Sequence, residues 1–370
     1  MLRRPTIGAV SESHRRVGWS LLSRVLLIGV VTLILIEVLV RAVNFIIPFE
    51  RPGSLADTYT NEWIEGKDWF NGLTRFYKYK PNTEGRTYGH PFHVNRWGFR
   101  GHDFEDRTHP ETKNSFRIMV LGDSNTAGIG IPEEDRYTEL VERELRGRYP
   151  SRRIEVINLG VQGFETVQEV KMLEYMGKIV QPNLVILGFS LNDPNIHYSY
   201  YLKKKFPMPE AARGLLEHLL TFRQVELLYD PVFRMVNGLP THQKEVMEAY
   251  KQDTDDWNIF VVSVQRISAW VREHTGSAPI VIFLADAQTA KREGRYSQVR
   301  TVFEQSGFIW SEMMDGARYE PVSRFEGHPN EATHRFFAQA LIRTINDNHV
   351  IPLGPTILEV TSPPKMTAGQ

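Results

Sequence analysis

Phe116 to Thr126 reads FRIMVLGDSNT, a short apolar run that stops abruptly at Gly122-Asp123-Ser124. Ile118 to Leu121 are too few for a helix and carry the β-branched and bulky side chains of a strand buried on both faces. Ser124 follows at the carboxyl end of that strand. In an open α/β sheet the ligand crevice lies outside these ends, so a hydroxyl delivered there by a glycine-opened turn is a candidate nucleophile. A strand followed by an ordinary helix cap, with Asp123 or Ser124 only satisfying free N–H groups, has the same local sequence. The segments downstream separate the two.

After Ser124, Gly128-Ile129-Gly130 reads as a flexible loop, and Tyr137, Leu140, Val141 and Leu145 share one helical face before Tyr149-Pro150 ends it. Ile154 to Leu159 is a second buried strand, leaving through Asn158-Leu159-Gly160-Val161-Gln162-Gly163. Glycines there permit a positive φ and close backbone approach, as an N–H aimed at an oxyanion requires. Thr166 and Glu169 have capping-box spacing at the start of a helix whose inner face is Val167, Val170, Leu173 and Met176. Leu184 to Phe189 is a third buried strand, and Ser190-Leu191-Asn192-Asp193-Pro194 follows it. An asparagine amide at that place can donate to a developing negative charge, although Asn-Asp-Pro after a strand is also common turn chemistry.

From His197 to Gly276 the pattern becomes helical, with segments at Gly214–Phe222 and Leu227–Val236 and a long helix carrying Trp257, Val261, Val264, Ile267 and Val271. Tyr198, Tyr200 and Tyr201 suit either a cleft lining or the packing of an insertion, so this region is a candidate lid. Pro279 to Ala285 is a fourth strand and Phe308 to Trp310 a short fifth. Phe325-Glu326-Gly327-His328-Pro329-Asn330 then reads as a Gly/Pro loop ahead of a helix capped by Asn330, with Phe336, Phe337, Ala340, Leu341 and Ile345 inward. A histidine on so constrained a backbone suits a general base.

Upstream, Phe49 to Ser115 is polar and rich in aromatics, Gly and Pro, and reads as a lead-in of loops and short strands. His90 and His93 have metal-like spacing without a matching third ligand, so no metal is assigned and no cofactor is called for. Val17 to Val40 is long and apolar enough to cross a bilayer as a helix, with Arg24 and Arg41 able to snorkel to its two surfaces. Arg3, Arg4, Arg15 and Arg16 precede it, which by the positive-inside rule puts the amino terminus in the cytoplasm and the remainder outside. No small-x-small cleavage pattern follows the apolar run, so an uncleaved anchor is expected rather than a signal peptide.

Composition agrees with one large core. Of 370 residues, 41% are hydrophobic and 24% charged, which excludes a disordered chain. Lys+Arg and Asp+Glu are both 44, so nothing electrostatic points to nucleic acid. The absence of cysteine removes disulfides, thiolate metal sites and a thiol nucleophile.

Serine, glycine, asparagine and histidine thus occur in that order, three directly after buried strands and the last before the closing helix. In this the chain resembles the SGNH/GDSL hydrolase superfamily over about Phe116 to Asn346, through GDSN, NLGVQGF, SLND and GHPN. The anchor and the lead-in VNRWGFRG (Val94–Gly101) are similar to a bacterial subgroup of it. The resemblance implies a three-layer α/β/α, flavodoxin-like fold with a central parallel sheet. It implies Ser124 as nucleophile, His328 as base, and the Ser124 N–H, the Gly163 N–H and the Asn192 side chain as oxyanion hole. Many members place an aspartate three residues before the histidine, where this chain has Phe325. Glu326, two before it, is the expected third catalytic residue, a Ser-His dyad being the alternative.

The expected organisation is a cytoplasmic amino terminus (1–16), a signal-anchor helix (17–40), a lead-in (41–115), a hydrolase domain (116–350) with a helical insertion at 197–276, and a mobile tail (351–370). The expected activity is hydrolysis of a small-molecule or carbohydrate ester through an acyl-serine, by a single-pass protein of the inner (cytoplasmic) membrane facing the periplasm or cell exterior. The alternatives are an O-acyltransferase that modifies an exported polysaccharide with the same residues, and an inactive envelope binding protein.

Overall fold

The computed structural model describes residues 12–46, 61–69, 74–112, 114–196, 206–216, 218–284, 290–291, 294–313, 317–323 and 326–352. The expectations for Arg3, Arg4, His197, Tyr198, Tyr200, Tyr201, Phe325 and the tail from 353 lie outside the described residues. The long helix α1 (Glu12–Ile46) comes first, then two antiparallel hairpins, β1 (Asn61–Trp69) with β2 (Thr74–Tyr79) and β3 (Glu84–Thr87) with β4 (His90–His93). Next come β5 (Phe116–Gly122), the single turn α2 (Ser124–Ala127), α3 (Tyr137–Arg148), β6 (Ile154–Asn158), α4 (Thr166–Val180) and β7 (Leu184–Phe189). Helices α5 (Glu210–Leu216), α6 (Leu220–Val236), α7 (His242–Glu248) and α8 (Asp255–Thr275) precede β8 (Ile280–Phe283), α9 (Arg295–Gln305) and β9 (Ile309–Ser311). The short hairpin β10 (Pro321–Ser323) and β11 (Glu326–Pro329) leads into α10 (Glu331–Asp347).

Two compact units result: Met1–Arg51 with Lys203–Thr241, and Pro52–Leu202 with His242–Gln370. The second holds a five-stranded sheet in the order β6-β5-β7-β8-β9, every pair parallel. Numbered from its own first strand the order is 2-1-3-4-5, the flavodoxin-like arrangement, in which the ligand crevice opens beyond the carboxyl ends of the first and third strands. Those strands are β5 and β7.

Strand periodicity builds the two outer layers. Ile118 and Val120 of β5, with Ile154, Leu184, Ile186, Ile280 and Ile282, face Tyr137, Val141 and Leu145 of α3 and Phe337, Leu341 and Ile345 of α10. Met119 and Leu121, with Val185, Leu187, Phe189, Val281 and Phe283, face α4, α8 and α9 through Leu173, Val264, Ile267, Val299 and Phe303. All seven residues of β5 are buried, because a strand covered on both faces has no solvent side to which alternate residues can point.

Three sequence expectations change. The capping box of α4 lies one residue earlier than Thr166/Glu169: Glu165 is the cap, its side chain accepts from the third helical N–H, and Gln168 Oε1 accepts from Glu165 N–H at 2.9 Å. Glu169 instead points into the core, wholly buried, and cannot reach back. The segment 128–130 is buried rather than loose: Ile129 is 2% exposed and Gly130 N–H donates to Thr87 Oγ1 at 3.0 Å. Finally α6 runs unbroken through Arg223 to Glu226 and Pro231, because Val225, Leu228 and Val232 continue one stripe while the polar residues between them occupy the other side.

In the first unit, Leu21–Ile46 of α1 is a 26-residue stretch containing an 18-residue window of mean hydropathy 2.6, none of that window buried, long and apolar enough to cross a membrane.

Candidate active site

Each site residue stands where the sheet delivers it. Asp123 follows β5 and caps α2 by accepting from Asn125 N–H at 2.9 Å, which places Ser124 in the first position of that turn, 9% exposed. His328 lies in β11, 204 residues later, and its Nε2 is 2.8 Å from Ser124 Oγ. The expected loop around this histidine is a strand: β11 pairs antiparallel with β10, matching Pro321 with Pro329 and Ser323 with Glu326. The hairpin is tied to the helix behind it, since Asn330 N–H donates to Glu320 O (2.8 Å) and Asn330 Oδ1 accepts from Thr333 N–H (3.0 Å). Tyr319 OH donates to Gly327 O at 2.5 Å, one residue before the histidine. The side chain of Glu326 lies outside the described residues.

The loop after β6 is clamped from two directions. Gly163 has φ +77°, a conformation that a side chain would strain. The peptide preceding it is held by two fully buried tyrosines of β2: Tyr77 OH donates to Gln162 O at 2.5 Å, and Gln162 N–H donates to Tyr79 OH at 2.8 Å. Phe164 packs edge-on to Tyr77 with ring centroids 5.1 Å apart. At the start of the same loop, Asn158 Oδ1 accepts from Gly160 N–H (2.9 Å), while its amide donates to Thr126 O (2.7 Å) behind the serine. A Cβ on Gly160 would stand 2.4 Å from Ala127 N, so only glycine lets the two loops meet.

Asn192 follows β7, half-buried, with Nδ2 3.3 Å from Phe164 O, one residue past Gly163. Its turn is set by Ser190 N–H donating to Asp193 Oδ2 (3.1 Å), and it is joined to the serine turn by Asn125 Nδ2 donating to Ser190 Oγ (2.7 Å). Ser124, Gly163, Asn192 and His328 therefore stand on four segments linked by hydrogen bonds.

Below this rim are buried groups that the sequence did not mark as part of the site. Asp123, Glu169 and Asp193 are buried together, and burial raises the pKa of each; the Asp123 charge adds to the rise at Glu169, and those of Glu169 and Asp123 to the rise at Asp193. His334 of α10 accepts from Tyr137 N–H at 3.2 Å, and burial, then the Arg136 and Arg100 charges, lower its pKa to about 3. Arg100, 2% exposed, reaches four backbone carbonyls, those of Pro91 (3.1 Å), Ala127 (3.2 Å), Gly128 and Ile131 (2.8 Å), and so joins the lead-in to the segment after the serine.

A sheet of this order, with a serine and a histidine in hydrogen-bond contact at its carboxyl edge, is the three-layer SGNH type. The model of the GDSL-like lipase/acylhydrolase family matches residues 120–336, and the chain belongs to this family of ester-hydrolysing enzymes. Similar solved structures include TesA (12% identity, covering 62% of this chain and 98% of that one, TM-score 0.38) and a catalytic mutant of Axe2, an acetylxylan esterase from Geobacillus stearothermophilus (15%, 62% and 94%, 0.36). Another is a two-domain esterase active on acetylated mannans (14%, 63% and 49%, 0.36). A search among curated proteins found no match.

Proposed function

We propose that the protein cleaves an ester outside the cytoplasm through an acyl-serine intermediate, with Ser124 as nucleophile and His328 as general base. The observation that carries this reading is the 2.8 Å contact between His328 Nε2 and Ser124 Oγ. Oγ attacks the ester carbonyl and its proton passes to Nε2; the oxyanion is held by the N–H groups of Ser124 and Gly163 and by Asn192 Nδ2. When the tetrahedral centre collapses, the bond to the leaving alkoxide breaks and the alkoxide takes the proton from Nε2. Water then attacks the acyl carbonyl, again giving a proton to Nε2, and collapse returns it to Ser124 Oγ as the carboxylic acid leaves. Glu326 is assigned as the orienter of the imidazole.

The substrate class is a small-molecule or carbohydrate ester of the cell envelope. Within the domain limits given above, 17–40 acts as an uncleaved anchor in the inner membrane and 116–350 is the catalytic domain, on the periplasmic or extracellular side. The length and apolarity of α1 support the anchor. The test of the chemistry is reaction with a fluorophosphonate probe. Labelling is expected in the wild type and lost in both Ser124→Ala and His328→Ala; a folded wild type that takes up no label would overturn the assignment.

A further inference from the structure

α6 is amphipathic in an unusual way. Its inner side is used: Asp230 and Arg234, both nearly buried, pair at 3.0 Å, and Arg213 of α5 pairs with Glu226. Its outer side is a stripe of Val225, Leu228, Val232, Met235 and Val236, between 46% and 73% exposed. At 3.6 residues per turn these fall within an arc of about 100°, the width of a face that a globular protein ordinarily buries. Large exposed apolar surface of this kind marks a contact with something else.

What covers it is indicated by the fixing of the helix. The cap position of α6 is Leu219, whose side chain offers no acceptor. The acceptor comes from α1: Glu37 Oε1 receives Leu220 N–H at 2.9 Å and Oε2 receives Thr221 N–H at 2.9 Å. Arg41 donates to Glu37 at 2.7 Å and to His218 O at 3.0 Å. Counting from Leu21, Glu37 stands about 24 Å along the helix axis, close to the thickness of a hydrocarbon core. The acidic group stands within the carboxyl-terminal part of the apolar stretch, and here it fixes the first turn of α6 at that level.

We infer that α6 lies in the bilayer interface at the Glu37 end of α1, with its stripe among the acyl chains and its Asp230–Arg234 side away from them. The inference rests on the reading of α1 as a membrane span. A moderate-length helix with a sharply divided surface is the type that lies in the interfacial plane rather than crossing it. The paired charges on its inner side make a crossing costly.

The chain contains no cysteine, so single reporters need no background changes. Full-length Ile28→Cys, Leu228→Cys, Met235→Cys and Lys251→Cys proteins, each labelled with bimane, would be reconstituted in phosphatidylcholine/phosphatidylglycerol vesicles with and without brominated acyl chains. The expected result is severalfold stronger quenching at 28, 228 and 235 than at 251. Quenching at 28 with 228 and 235 at the level of 251 overturns the placement of α6 and leaves the anchor standing. Absence of quenching at 28 removes the anchor, and the inference with it. Spin labels at 228 that couple between molecules at high dilution in lipid would show the stripe covered by a second copy, which also overturns it. The Met235 reporter keeps the test decisive if the Leu228 variant fails to fold.

Discussion

At the residue scale, the chemistry depends on atoms held by neighbours far away in sequence. Tyr77 OH and Tyr79 OH fix the peptide before Gly163 without facing the ester, so they act as positioning residues. Tyr77→Phe leaves Gln162 O without this donor, and a loss of about 1.4 kcal/mol of transition-state stabilisation corresponds to roughly a tenfold lower kcat. KM on a p-nitrophenyl ester is expected to stay within about twofold of wild type; a rise in KM at constant kcat would contradict the role. Asn192→Ala removes the proposed side-chain donor to the oxyanion, and kcat on the same ester is expected to fall by about 100- to 1,000-fold. The four signature residues were legible in the sequence because each follows or precedes a recognisable element. The tyrosines were not, since an aromatic in a polar lead-in reads as packing until a strand is seen to aim its hydroxyl.

Among the elements, the sheet could be read in advance because each strand carries a short run of mostly large apolar residues, Ile118–Leu121, Ile154–Ile157, Leu184–Phe189 and Ile280–Phe283 foremost, too short for a helix. The β10–β11 hairpin could not: Pro321 to Pro329 has neither alternation nor a turn signature, and its strand character comes from pairing alone. The cap of α4 falls one residue earlier than the sequence suggests because Thr166/Glu169 fits the Ser/Thr-x-x-Glu/Gln template, while the observed cap, Glu165, is not a residue that template names. Glu169 is buried, and Gln168 closes the box in its place. Arg100 belongs to this scale too, as the guanidinium joins β4 to the segment following the serine turn. A lysine has the charge but not the planar fork that reaches several carbonyls at once. Arg100→Lys is expected to destabilise the protein by about 2–3 kcal/mol, read as a lower denaturant midpoint at unchanged m-value.

At the scale of the whole molecule, the buried titratable groups set opposing pH dependences. His334 is held neutral with a pKa of about 3, against about 6.5 in the unfolded chain, so the unfolded chain gains a proton first. Stability from this group is complete above about pH 6.5 and is lost as pH falls towards 3. Glu169 and Asp193 are shifted upward, so the folded protein keeps protons that the unfolded chain has released. Their contribution is present at low pH and is lost as pH rises from about 4 through the raised values. Glu169→Gln should therefore raise Tm more at pH 8 than at pH 5, as calorimetry at the two values would show; an equal change at both would refute the linkage. The contact between Glu37 and Leu220 spans 183 residues of sequence. At a synthesis rate of about 5–20 residues per second, roughly ten to forty seconds separate the appearance of the acceptor from that of its donors. During translation, then, α1 emerges long before the helix it caps, and β5, β6 and β7 are already made. The Glu37 carboxylate must wait, served by water, until the chain comes back to it after the first three strands of the sheet.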